Sequence, residues 1–413
     1  CHRGVAVSAG VACFRPGLDV VSRLNGGSLS LWWRLVSLMT VLEFLGGLAL
    51  LLGGAEALVR GAARLAAAIG ISPLVVGLTV VAMGTSAPEL AVAIKSGLAG
   101  QTDIGLGNLV GSNICNILLV LGISATIGPL SVAMQIVRID IWVMILAGIV
   151  VTALGADGAI DRLDGVVLAV AAVAYTMFCV FLSRRENARI KAEYAKEFGQ
   201  PEEPEPISWV WNGLLVVGGL ALLVLGADWL VDASVKIARV FGMSELVIGL
   251  TVVAIGTSMP EIATSIVAGI RGERDIAVGN IVGSCVFNLL AILGIGAAVT
   301  PGGIGVSKVA LTFDIPVMLG SAILCIPVFF TGLRIARWEG GLFLLYYASY
   351  TTYLVLDATR SKSIGAYQAI MLYLVIPCTL VPVGLSVLTS LRSVRERRRA
   401  KANDVASPAP DSK

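Results

Sequence analysis

Charge is what this chain lacks most. Lys, Arg, Asp and Glu make up 14% of its 413 residues, hydrophobic residues make up 57%, and the mean hydropathy is +0.89. An ordinary soluble domain carries roughly 25% charged residues. So little charge cannot cover a water-facing surface, so lipid must solvate the chain. A soluble enzyme, a disordered tail protein and a disulfide-stapled secreted domain are excluded. Histidine is nearly absent, with His2 the single one. That excludes catalysis needing a histidine inside the fold, and a His-rich metal site. Seven cysteines (Cys1, Cys13, Cys115, Cys179, Cys285, Cys325 and Cys378) form no CxxC pair, so they make neither a zinc site nor a disulfide framework. The net charge of +3 gives no reason to expect nucleic acid as a partner.

The chain has apolar length instead. Runs of about 18 residues or more, each enough to cross a hydrocarbon core of about 30 Å, fall near 40–59, 71–94, 103–127, 139–156, 165–183, 209–230, 243–270, 275–299, 309–331, 339–357 and 364–390. The expectation is an all-α integral membrane protein with eleven spans. Two spans are broken, one at Gly84-Thr85-Ser86-Ala87-Pro88 and one at Gly256-Thr257-Ser258-Met259-Pro260. Residues 1–38 hold four Arg and no apolar signal core. They read as a leader, with translation expected to start at Met39. Trp32 and Trp33, if translated, read as an interface anchor.

A polar connector, 184–208, holds Arg184, Arg185, Arg189, Lys191 and Lys196, then Pro201-Glu202-Glu203-Pro204-Glu205-Pro206. It separates a first unit, 39–183, from a second, 209–358. An additional helix within 359–390 and a basic tail, 391–413, follow. With the connector in the cytoplasm, 19 of the 30 basic residues face the cytoplasm and 7 the far side, as the positive-inside rule requires. The tail, with Arg392, Arg395, Arg397, Arg398 and Arg399, then lies against the anionic lipid of the cell (inner) membrane.

The two units align without gaps at an offset of 172 residues. Gly77-Leu78-Thr79-Val80-Val81-Ala82-Met83-Gly84-Thr85-Ser86-Ala87-Pro88-Glu89 matches the stretch from Gly249 to Glu261, differing at two of thirteen positions. Asp103, Gly107-Asn108, Gly111-Ser112 and Asn116 match Asp275, Gly279-Asn280, Gly283-Ser284 and Asn288. Five spans per unit is an odd number, which turns the second copy over in the membrane. Inverted repeats with broken helices mark secondary transporters that bind substrate near the midplane. Packing alone would explain Gly107-x-x-x-Gly111 and Gly279-x-x-x-Gly283. It does not explain an acid, two hydroxyls and an amide recurring at one spacing.

Glu89 and Glu261 sit inside apolar helices, where each acid costs roughly 2.5–3.5 kcal/mol at mid-bilayer. A bound cation offsets that cost directly. Pro88 and Pro260 remove backbone donors and are expected to free carbonyls near Ala82 and Ala254. Carboxylate, carbonyl, hydroxyl and amide oxygens form a hard ligand set suited to calcium or sodium. Thr85/Glu89 and Ser112/Asn116 are each four apart, hence on one helix face. Thr257/Glu261 and Ser284/Asn288 repeat both pairs. Asp103 and Asp275 read as helix-start acids. Glu56 and Asp228 read as touching headgroups, Asp140 and Asp314 as interfacial, and Cys115 and Cys285 as small fillers beside the site.

At these residues, over about 40–358, the chain resembles the sodium/calcium exchanger superfamily, the cation:calcium antiporters, in its prokaryotic form. The resemblance implies ten helices as two inverted five-helix repeats, which makes 364–390 an addition. It implies transported calcium and sodium, no cofactor and no enzymatic chemistry. Calcium would be held by Glu89 and Glu261 with the carbonyls of Thr85 and Thr257. Sodium would use the same carboxylates, the Ala82 and Ala254 carbonyls, and the hydroxyls of Ser86, Ser258, Ser112 and Ser284. Asn116 and Asn288 take the central positions, where relatives can carry one Asp, so the ion ratio stays open. Gly-Thr-Ser-x-Pro-Glu differs from the Asn-rich segment of the proton-coupled branch and favours sodium. Alternating access would move helices 40–59 and 209–230, with Gly53, Gly54 and Gly226 as sliding surfaces. The alternatives are calcium/proton or other cation antiport through the same cage, a cation channel, and an intramembrane enzyme. An internal inverted repeat argues against the channel, and the absence of a coupled Asp pair against the enzyme.

Overall fold

A computed structural model describes residues 26–198, 208–241, 252, 254–330, 332–378, 381 and 384. The leader before residue 26, the Pro-Glu part of the connector, residues 242–251 and the basic tail lie outside the described residues. The helices are α1 (Gly26–Ile69), α2 (Pro73–Thr85), α3 (Ala87–Leu98), α4 (Thr102–Ile127), α5 (Ile136–Asp157), α6 (Arg162–Phe198), α7 (Trp209–Val240), α8 (Ala254–Thr257), α9 (Met259–Ile270), α10 (Arg274–Val299), α11 (Ala310–Phe330), α12 (Arg337–Ala358) and α13 (Ile364–Cys378). They fall in every interval where a span was expected. Among the described residues, seven are long and apolar enough to cross a membrane, and α2 with α3 makes an eighth, bent by 44°. The other expected spans are less clear-cut: α12 carries Arg337, Glu339 and Asp357, and α9 and α13 are short.

Helix ends depart from the hydropathy reading. α1 runs on to Ile69 and α7 to Val240, past the expected ends at 59 and 230. Charges at Glu56, Arg60, Arg64, Asp228, Asp232 and Lys236 lower the local hydropathy without breaking a helix. Glu56 does not stand at a headgroup alone: it pairs with Arg60 one turn on and with Arg271 after α9. Glu43 of α1 takes Lys236 of α7 at 2.5 Å. α6 continues to Phe198, so the first part of the connector is helical, as its Ala, Glu, Lys and Arg content favours.

α4 and α10 are the centre of the molecule. Their apolar windows are 72% and 83% buried, against 28–44% for the other membrane-length helices. Glycine makes the close fit possible. A Cβ on Gly279 would lie 2.7 Å from the Leu74 carbonyl, and one on Gly283 2.6 Å from that of Leu78. The equivalent partners of Gly107 and Gly111, at 246 and 250, lie outside the described residues. α1 and α7 pack antiparallel at the side. Gly47 faces the Gly226 carbonyl, Gly54 that of Gly219, and Gly61 that of Asn212. Each step forward on α1 is an equal step back on α7. Gly53 has no neighbour within 4 Å of a Cβ position, so of the three expected sliding glycines only Gly54 and Gly226 lie in the seam.

Four two-residue strands tie the loops. β1 (Leu130–Ser131) pairs antiparallel with β4 (Arg334–Ile335), and β2 (Ala159–Ile160) with β3 (Ile304–Gly305). Each pair joins a loop of the first unit to a loop of the second.

Candidate cation site

The bend between α2 and α3 follows from proline. Pro88 has no N–H to return to the preceding turn, but it suits the first turn of a new helix. Ser86 therefore leaves the helical region (φ −84°, ψ 11°) and α3 starts afresh, with Glu89 in its first turn. Pro260 repeats this: Ser258 sits at φ −88°, ψ 7°, and Glu261 enters the first turn of α9. The two acids thus stand at helix starts, inside the protein, where first-turn N–H groups favour negative charge.

Glu89, Glu261, Ser86, Ser258, Ser284, Asn116 and Asn288 are fully buried, and Thr85 and Ser112 are 1% exposed. Ser112 donates to Glu89 Oε1 at 3.3 Å, and Ser86, from the other unit, donates to Glu261 Oε1 at 3.0 Å. None of the ion pairs among the described residues reaches either carboxylate. Several buried oxygens have no hydrogen-bond partner: Oε2 of both glutamates, Oγ of Ser258 and Ser284, and Oδ1 of Asn116 and Asn288. Buried polar atoms in native proteins are almost always paired. Orphaned oxygens, two carboxylates and, among the described residues, no basic side chain paired with them have the composition of a hard-cation cage.

Hydrogen bonds join Ser112 to Glu89 and Ser86 to Glu261, and the other serines and the central amides singled out from sequence are buried on α4, on α10 and at the α8–α9 break. The structure corrects the reading of Ala82. The Ala82 carbonyl accepts the Ser86 N–H at 3.1 Å, so Pro88 does not free it. The missing proline N–H falls on the carbonyl four residues back, Gly84. In the second unit the Ser258 N–H goes to Ile255 at 3.1 Å, one residue beyond Ala254.

Sequence reasoning left several participants unassigned. Thr85 Oγ1 donates to Asn280 Oδ1 at 3.1 Å, and Thr257 Oγ1 to Asn108 Oδ1 at 3.4 Å. These bonds cross between the units and are equivalent at the 172-residue offset. The asparagines were visible as repeat matches, but nothing local tied them to the threonines. Asn280 Nδ2 continues to Ser265 Oγ at 3.2 Å, and Ser265 lines a cavity of about 230 Å³ with Ser124, Gly269 and Arg274. Asp140, expected at the interface, is fully buried and accepts from Tyr175 at 3.0 Å and Gln135 at 3.3 Å. Asp314 is held the same way by Tyr350 at 3.2 Å. The tyrosines were far from the acids in sequence, which concealed the pairing.

A multi-pass helical membrane protein with paired buried acids and orphaned oxygens is of the cation-antiporter class. The chain belongs to the sodium/calcium exchanger protein family, whose profile matches residues 39–181 and 211–356. It is 38% identical over 254 residues to inner membrane protein YrbG of Escherichia coli K12, covering 60% of this chain and 76% of that protein. It is 29% identical over 333 residues to the sodium/calcium exchanger MaX1 of Methanosarcina acetivorans, covering 70% and 90%. A solved structure of the sodium-calcium exchanger NCX_Mj, soaked with sodium and strontium, matches with a TM-score of 0.63 at 33% identity, over 79% of this chain and 99% of that one.

Proposed function

We propose that the protein exchanges calcium for sodium across the membrane by alternating access at one site. Two inverted five-helix repeats carry that site, and α13 is an added eleventh span. The observation that carries this reading is the cluster of unpartnered, fully buried oxygens around Glu89 and Glu261. Two carboxylates offer two negative charges, which one calcium or two sodium ions would neutralise. Left empty and charged, the pair would be strongly disfavoured in a low-dielectric interior. Calcium would take the carboxylates with the carbonyls of Thr85 and Thr257. Sodium would take the same carboxylates with Ser86, Ser258, Ser112 and Ser284. Because the ion sets share the carboxylates, one must leave before the other enters.

The strand pairs support the inverted arrangement: β1–β4 and β2–β3 exchange into one another when the two units are swapped. The α1–α7 pair suits the moving part, since its glycine seam presents backbone rather than interlocked side chains. The excess of basic residues on one side supports a cytoplasmic connector and tail. The test is radiolabelled calcium uptake into sodium-loaded proteoliposomes, with potassium-loaded and proton-loaded vesicles alongside. Uptake driven by sodium alone is expected. Equal uptake in proton-loaded vesicles would assign the counter-ion to protons instead.

A further inference from the structure

The two central amides of the site are not equivalent, and the cause is a residue outside the ligand set. Asn113 on α4 is 1% exposed. Its Nδ2 donates to the Cys285 carbonyl at 3.2 Å and to Met318 Sδ at 3.6 Å. Its Oδ1 accepts Asn288 Nδ2 at 3.0 Å. The backbone carbonyl can only accept, so it decides which end of the Asn113 amide faces which neighbour. With Nδ2 committed to Cys285, Oδ1 is the end presented to Asn288. Asn288 must then offer its NH₂, which leaves its own Oδ1 as the free end. That oxygen is fully buried and has no partner. It shares a face of α10 with Ser284, one turn earlier, whose hydroxyl is also unpartnered.

The other half lacks the device. At the 172-residue offset the mate of Asn113 is Cys285, and the mate of Asn288 is Asn116. The Cys285 thiol is directed to the Asn113 carbonyl at 3.9 Å. A thiol is too short and too weak a partner to orient an amide. Asn116 has neither its oxygen nor its nitrogen bonded. One amide is therefore fixed and the other is free to turn.

We infer that Asn113 is a positioning residue that commits the Asn288 carbonyl oxygen to the cation cage, so that the two repeats contribute unequal central ligands. This rests on the exchanger reading of the site. A pre-oriented carbonyl dipole binds a hard cation without first losing rotational freedom, which is the gain of preorganisation. The unoriented Asn116 must turn an oxygen inward at the expense of that freedom.

The experiment measures half-saturation for sodium and calcium in proteoliposomes. Asn113→Cys, which copies the repeat-mate, is expected to raise half-saturation for at least one ion about 3- to 10-fold, as loss of one oriented oxygen would. In an Asn288→Ala background the same substitution should have no further effect. The swap Asn113→Cys/Cys285→Asn should restore affinity and move the sensitivity from Asn288→Ala to Asn116→Ala. Asn113→Ser is the second variant should Asn113→Cys fail to insert. Unchanged half-saturation in these variants, or an equal shift with Asn288→Ala present, would overturn the inference. Glu89→Gln separates the two readings. If it is inactive while Asn113→Cys behaves as wild type, only the positioning role fails. If Glu89→Gln transports normally, the site itself is misplaced.

Discussion

The two halves of this molecule agree at the acids and differ one turn away from them. Glu89 and Glu261 share depth, helix position and preceding proline. The Thr85–Asn280 and Thr257–Asn108 bonds are images of each other. The serines are not. Ser112 donates to the acid of its own half and Ser86 to that of the other, while their mates Ser284 and Ser258 lie outside hydrogen-bond geometry. A perfect two-fold would make the routes to the two membrane faces alike. A transporter must open one at a time, so some contacts must differ in any single state. Charge, which sets what can bind, is held equal. Hydroxyl bonds, which are weaker and can be exchanged, carry the difference.

Removing the equality should have the largest effect. Glu89→Gln or Glu261→Gln each leaves one carboxylate against a desolvated divalent ion, and calcium flux is expected to be lost entirely. Insertion and yield should hold, because a neutral amide is cheaper in the bilayer. The comparison is calcium uptake normalised to protein in vesicles. Wild-type rates from either variant would remove that acid from the site.

Next in size is the response to voltage. Two carboxylates match two sodium ions, and on the proposed site the hydroxyl oxygens would serve a third. With a third sodium, each cycle moves one net charge, and 100 mV contributes about 2.3 kcal/mol to the driving force, or roughly 50-fold in the calcium ratio. Calcium flux under an imposed potassium diffusion potential is expected to follow the potential. Flux indifferent to it would mean two sodium ions per calcium.

How much of this was legible beforehand follows from which residues had a repeat-mate. Glu89, Thr85, Ser86, Ser112 and Asn116 each had one, so duplication itself marked them as candidates. Asn113 had none, because Cys285 stands opposite it, and its bond to Asn288 is visible only in three dimensions. The ends of α1 and α7 were misjudged because a helix continues through charges that end a hydropathy run. The Asp140–Tyr175 and Asp314–Tyr350 bonds span two helices each, and no local pattern announces such a pair. The two-residue strands carry too few residues for a periodic signal.

The serines sharpen the contrast. Ser112→Ala removes a hydroxyl that donates to a buried carboxyl oxygen, a hydrogen bond typically worth about 0.5–1.5 kcal/mol. Ser284→Ala removes one that has no partner in this state. On the proposed site both delete a sodium ligand, so both should raise the sodium concentration for half-maximal calcium release several-fold. Only Ser112→Ala should also lower the thermal midpoint of the ion-free protein in detergent. Equal midpoints would mean that the hydroxyl asymmetry has no energetic weight.

The smallest effect should come from the edge of the molecule. Glu56 ties α1 to Arg271 at the end of α9, donating no proton itself and accepting Arg271 Nε at 2.8 Å. At the offset, Glu56 matches Asp228, but Arg271 matches Ala99, which has no charge to form the equivalent pair. The side chains are 46% and 26% exposed, and pairs in that setting contribute roughly 0–1 kcal/mol. Glu56→Gln should therefore change exchange rate by no more than about fivefold, without altering half-saturation for either ion. The direction is informative. If α1 slides relative to α9 during the cycle, loosening the tie should shift the balance toward the state in which that end has opened. Accessibility of a cysteine placed at Gly269, beside the cavity at that end, to a membrane-impermeant thiol reagent would then rise. Unchanged labelling would mean that α1 and α9 move together, and that the glycine seam between α1 and α7 is not where the halves part.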